Sequence, residues 1–114
     1  MFLKKIVSAF INSINGVLKA LKEEFSFRIE FILAVFLIPL SFFLGKTNIE
    51  VIFLVGSTLL ILLVELLNTA IEKTLDRISL EQNNLTKFAK DLGSAAVLIS
   101  LIIWSITWLL IVIY

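Results

Sequence analysis

The chain has no cysteine and no histidine among its 114 residues. The first absence excludes disulfides and thiolate metal centres. The second removes the usual general base, the usual zinc ligand and the usual near-neutral pH switch. Acid–base or metal chemistry is left to Asp, Glu, Lys, Arg, Tyr and water. Proline occurs once, at Pro39. Charge is sparse: Asp, Glu, Lys and Arg make up 17% of the chain, and the formal net charge is +1. The net charge says nothing by itself, and no nucleic-acid partner is expected.

Apolar side chains are what the sequence has in excess. They make up 60% of the residues, and the mean hydropathy is +1.07. A soluble domain of this size has too much surface to hide so much apolar side chain. Lipid is therefore the expected solvent for much of the chain, and its length predicts one domain, 1–114.

Three spans stand out, at about 29–44, 49–67 and 95–114. A helix needs roughly 20 residues to cross about 30 Å of hydrocarbon. The first span is short, and Phe27 and Arg28 extend it, with Arg28 snorkelling to the headgroups. Pro39 is expected to bend it. Only residues 45–50 link the first two spans, so these helices should be antiparallel neighbours. Thr47-Asn48-Ile49-Glu50 has the form of a capping box that starts the second helix, and Gly45 suits the end of the first.

Residues 1–28 have a different pattern. Phe2, Ile6, Phe10, Ile14, Val17 and Leu21 recur at helical spacing, with Lys4, Lys5, Asn12, Lys19 and Lys22 on the other side. This predicts an amphipathic helix on the membrane surface, or else one packed on partner helices. A signal peptide is not expected, because no unbroken apolar core or small-residue cleavage site follows the lysines. Residues 72–93 are polar. They should continue the second helix to about Ile78, turn near Gln82-Asn83-Asn84, and enter the third span through a short helix. Ser94, Ala95 and Ala96 are small enough for another helix to approach closely there. The fold class is an all-α membrane protein: an amino-terminal amphipathic helix and three transmembrane helices.

Basic residues set the orientation. Lys4, Lys5, Lys19, Lys22 and Arg28 precede the first span, and Lys73, Arg77, Lys87 and Lys90 lie between the second and third. The short link holds only Lys46. The positive-inside rule places the amino terminus and the polar segment in the cytoplasm and Tyr114 outside.

Glu65 ends the second span, and Asn68, Glu72 and Asp76 follow it along one helical stripe. A carboxylate within a bilayer costs about 2.5–3.5 kcal/mol at the helix centre on insertion scales. Glu65 is therefore the leading functional candidate. With no histidine or cysteine near, carboxylates suit a hard cation such as magnesium, which takes one or two of them and shares its other positions with water and phosphate. Glu24 and Glu72 could supply such a pair. Glu24 and Arg28 also have the spacing of a simple helix ion pair. Lys90 and Asp91 read equally as a headgroup anchor or as a phosphate-binding lysine beside an acceptor. Gly45-Lys46-Thr47 is no phosphate loop, since Leu40 stands where its first glycine should be.

The run Glu65-Leu-Leu-Asn-Thr-Ala-Ile-Glu72-Lys-Thr-Leu-Asp76-Arg77, with the later Ala89-Lys90-Asp91-Leu-Gly-Ser94-Ala-Ala-Val, resembles the signature of the prokaryotic diacylglycerol kinase family. Glu24-Phe-Ser-Phe-Arg28-Ile-Glu30 before the first span and the three-span layout extend the resemblance over nearly the whole chain. It implies a homotrimeric enzyme of the bacterial inner membrane that transfers the γ-phosphoryl of MgATP to a lipid hydroxyl. By the same resemblance, Glu65 would be the base and Glu24 and Glu72 would hold Mg2+. Asn68, Asp76, Lys90 and Asp91 would lie in the nucleotide site, with Glu81, Gln82 and Asn83 bordering the adenosine. Arg28, Glu30 and Ser94 would border the lipid headgroup. Lys5 stands where many members carry arginine, and it offers a phosphate a point charge rather than a fork. Asn12 and Ile14 replace aromatic residues found in some members.

Diacylglycerol is the expected acceptor, favoured by Glu30, Asp76-Arg77-Ile78 and Leu92-Gly93-Ser94. Undecaprenol is the alternative within the superfamily. A small cation-coupled exporter is the alternative of another class, although such proteins usually have four spans and a glutamate in the first.

Overall fold

A computed structural model describes residues 1–78, 81 and 83–114. They form four helices: α1 (Phe2–Glu23), α2 (Phe25–Leu44), α3 (Asn48–Ile78) and α4 (Asn84–Ile113). The last three are long and apolar enough to cross a membrane. α3 packs mainly on α4 and next on α2, while α1 leans on α2.

Helix length positions the polar ends. α2 has 20 residues and matches the hydrocarbon thickness, about 30 Å at about 1.5 Å per residue. α3 has 31 residues and α4 has 30. Each is about 45 Å long and overshoots the bilayer by about 15 Å. The overhang lies where the charges are, at the carboxyl end of α3 and the amino end of α4. The expected short helix before the third span is the first part of α4, which runs unbroken from Asn84. Asn83 caps it, its Oδ1 accepting from the Thr86 amide at 2.9 Å.

The interior is built from few large and several small side chains. Leu54 is fully buried, and Phe27, Ala34, Ile61 and Trp108 are buried around the same helix contacts. Ser41, Ser57, Thr58 and Ser100 are buried with them. Each of these hydroxyls donates to a carbonyl of its own helix at 2.6–3.2 Å. Small satisfied hydroxyls let helices approach without leaving a polar atom exposed to lipid. One hydrogen bond joins α3 and α4 in this layer, from Trp104 Nε1 to Thr58 Oγ1 at 3.1 Å. Trp104 also stacks on Trp108, with ring centroids 5.3 Å apart.

The α2–α3 link follows its sequence signals. The Glu50 amide donates to Thr47 Oγ1 at 3.2 Å, and the Glu50 carboxylate accepts from the Lys46 amide at 3.1 Å. Gly45 is extended rather than left-handed. Its need for glycine is spatial: a Cβ there would collide with the Val51 side chain. α2 continues through Pro39 to Leu44.

The amphipathic segment ends earlier than its periodicity suggests. The chain breaks at Glu24, which is extended at φ −108°, ψ 107° between α1 and α2. Arg28 holds this elbow. Its Nε donates to the Leu21 carbonyl and its Nη2 to the Lys22 carbonyl, both at 2.8 Å. These carbonyls belong to the last turn of α1, where no helical partner remains and the helix dipole is negative.

Candidate active site

α3 carries the expected stripe with a gradient of exposure. Glu65 and Asn68 are buried, Glu72 is half-buried and Asp76 is exposed. Glu65 is only 9% exposed within the single chain. The order follows from one helix leaving the packed bundle for its overhang. Asn68 binds one of the two acids that flank it, its Nδ2 donating to Glu72 Oε1 at 3.1 Å.

Asn68 is seated by α4. Its Oδ1 is buried without a hydrogen-bond partner. It lies against Gly93, where an added Cβ would overlap it. The close approach of helices expected at Ser94–Ala96 therefore occurs one residue earlier, while those three residues remain exposed. A glycine within a helical pattern is the sequence signal for such an approach, but nothing in the sequence pairs it with Asn68.

A second link between α3 and α4 is electrostatic. Lys90 Nζ meets Asp76 Oδ1 at 3.0 Å, and neighbouring Asp91 is bound by Lys87 at 2.9 Å, one turn away. Lys90 thus belongs to the end of the acidic stripe, and Asp91 faces another lysine. Ser94 is exposed just beyond them.

Glu24 enters from the elbow. Its carboxylate pairs with Lys73 of α3 at 3.0 Å, not with Arg28. Arg28 is committed to the carbonyls of α1, so the expected spacing-based ion pair is not formed. Sequence spacing does not single out Lys73, because its partner Glu24 lies outside α3, at the elbow. Between α1 and α3 runs a groove of about 680 Å³, lined by Gly16, Ala20, Glu24, Thr69, Ala70 and Lys73 among others.

A second groove, of about 280 Å³, is almost wholly apolar. Glu30 lines it together with Leu33, Leu37, Ile61, Leu101 and Trp104. Glu30 Oε2 is buried there without a partner.

Among the described residues, no set of three or more Asp or Glu is close enough to cage a metal ion. Of the two carboxylates expected to hold such an ion, Glu24 is paired with Lys73 and Glu72 accepts from Asn68. Glu81 and Asn83 lie exposed in the α3–α4 link. Gln82, also expected at the adenosine, lies outside the described residues.

Three membrane-crossing helices with an acidic stripe at one membrane edge define a multi-pass membrane protein with a polar site at the lipid boundary. The family model described as prokaryotic diacylglycerol kinase matches residues 11–112. A Haemophilus influenzae protein named diacylglycerol kinase is 46% identical over 93% of this chain and 90% of its own length. Proteins of the same name from Pseudomonas aeruginosa and Escherichia coli K12 are 45% and 38% identical, over 93% and 91% of this chain and 86% and 85% of their own lengths. The chain belongs to the prokaryotic diacylglycerol kinase family, and it is an enzyme of the phosphotransferase class. That membership sets aside the exporter.

Proposed function

We propose that the protein transfers the γ-phosphoryl group of MgATP to the hydroxyl of diacylglycerol, giving phosphatidic acid and ADP. The reaction takes place at the cytoplasmic face of the bacterial inner membrane, in a homotrimer whose amino termini are cytoplasmic and whose carboxyl termini are outside. The observation that carries this reading is the graded stripe Glu65–Asn68–Glu72–Asp76 in a chain of this family. Its buried end suits a lipid hydroxyl, and its exposed end suits a water-soluble nucleotide.

Glu65 takes the proton of the lipid hydroxyl as that oxygen bonds to the γ-phosphorus and the bond from phosphorus to the β–γ bridging oxygen breaks. The proton passes from Glu65 to water and the electron pair leaves with ADP. Glu24 and Glu72 would hold the divalent ion, which when bound would supply positive charge beside the ATP phosphates. Asn68 would restrain the Glu72 carboxylate through its 3.1 Å hydrogen bond. Lys90, held at 3.0 Å by Asp76, supplies positive charge to the phosphates. Asp91 completes this part of the nucleotide site, and Glu81, Gln82 and Asn83 border the adenosine. Phosphoryl transfer asks mainly for positioning and charge neutralisation, which such a set provides.

Glu30, Arg28 and Ser94 border the lipid headgroup. Glu30 supports this placement because its unpartnered carboxyl oxygen lies in an apolar groove that can take an acyl chain. The test is ATP-dependent labelling of lipid by the purified protein in mixed micelles, with diacylglycerol and undecaprenol side by side. Labelled phosphatidic acid is the expected product. Preferential labelling of undecaprenol would reassign the acceptor, and labelling of neither lipid would overturn the kinase reading for this chain.

A further inference from the structure

Glu24 is a carboxylate proposed to bind a divalent ion, yet an ammonium group already rests on it. Lys73 Nζ lies 3.0 Å from Glu24 Oε1. The two residues come from different elements, the elbow and α3, and both line the same groove. The elbow presents Glu24 from extended backbone, and Arg28 fixes the α1 side of it. Glu24 therefore reaches α3 by the fold, not by chance proximity in sequence.

We propose that Lys73 is the resident counter-cation of the divalent-ion site: its ammonium neutralises Glu24 in the nucleotide-free protein, and the arriving ion displaces it. The proposal rests on Glu24 being a ligand of that ion. An ammonium and a hydrated divalent cation compete for the same carboxylate oxygen, so both cannot bind it fully at once. The pair is also loose enough to exchange. The Lys73 side chain is 67% exposed and that of Glu24 26%, and exposed pairs of this kind hold by about fivefold at most in equilibrium terms. Exchange lowers the electrostatic cost of both states. Without ion, the carboxylates are not left unscreened. With ion, Lys73 swings into the open groove, where its charge can meet the phosphates that arrive with the metal. No covalent step is involved.

Mn2+ alone tests this, with free ion counted by its paramagnetic resonance signal and the full-length protein in micelles without nucleotide. Lys73→Met should bind Mn2+ about three- to fivefold more tightly than the parent, because the competitor is gone. Lys73→Arg, which restores the pair, should return the affinity toward the parent value. Lys19→Met removes an exposed positive charge whose partner is Glu23, and it should leave the affinity unchanged. In a Glu24→Gln background, Lys73→Met should have no effect. If Lys73→Met binds no more tightly while Glu24→Gln binds less, the counter-cation role is overturned and the metal reading stands. If Lys19→Met tightens binding as much as Lys73→Met, the effect is general charge and the specific exchange is overturned. If Glu24→Gln binds Mn2+ like the parent, Glu24 is not a ligand and both readings fall.

Discussion

Gly93 meets Asn68 with no room for a methyl group between them. This contact seats the amide that turns Glu72 by its 3.1 Å hydrogen bond, so a backbone position on α4 governs a side-chain pair on α3. Gly93→Ala should force Asn68 from its place. Overpacking of this kind costs about 1–3 kcal/mol, and nucleotide-dependent turnover should fall at least tenfold. The check is a double-mutant cycle with Asn68→Ala. The second substitution should restore the stability lost to Gly93→Ala, measured by thermal unfolding in micelles, but not the activity. Additive losses of stability would show that Gly93 acts elsewhere.

The fork of Arg28 fixes the angle between α1 and α2 through two carbonyls. Hydrogen bonds from a charged donor contribute about 1.5–3 kcal/mol each when truncated. Arg28→Ala should loosen the elbow and broaden distance distributions between spin labels on α1 and α3. Arg28→Lys should rescue it only in part, because an ammonium lacks the fork. Unchanged distributions in Arg28→Ala would deny the capping role.

Lys90 and Asp76 differ from a purely structural ion pair in what their loss should do. The pair is partly exposed, and its worth to stability is about 0.2–1 kcal/mol. Asp76→Asn should therefore shift unfolding only slightly. Lys90→Met should shift it equally little, while raising the KM for ATP tenfold or more. A KM unchanged from the parent would make Lys90 an anchor of the α3–α4 end and nothing further.

The hydrogen bond from Trp104 to Thr58 lies within the bundle, where both residues line the apolar groove beside Glu30. Interhelical bonds of this sort average about 0.6 kcal/mol in membranes. Thr58→Val should lower thermal stability by about that amount and leave the KM for ATP unchanged. A large loss of ATP affinity would show that this layer couples to the nucleotide end.

The sequence revealed whatever depends on periodicity and hydropathy. The three spans, the amphipathic start, the continuation of α3 to Ile78 and the stripe from Glu65 to Asp76 each repeat along a single helix, so spacing alone exposes them. The capping residues at Thr47 and Glu50 were legible for the same reason. Contacts between helices were not. Lys73 looks like any solvated lysine until the elbow brings Glu24 to it, and Gly93 looks like one small residue among several until α3 presents Asn68. Arg28 had the right spacing for Glu24, but the open carbonyls of α1 made a better partner for a fork of donors. α2 runs through Pro39 to Leu44, since packed neighbours in a bundle can accommodate the freed backbone.

The most direct measurement of the central claim is phosphoryl transfer by Glu65→Gln. Glutamine keeps the shape and the burial but cannot take a proton. The account predicts loss of at least a hundredfold in ATP-dependent phosphorylation of diacylglycerol, with the variant still folded and still binding ATP. Near-parental turnover in a folded Glu65→Gln protein would contradict it.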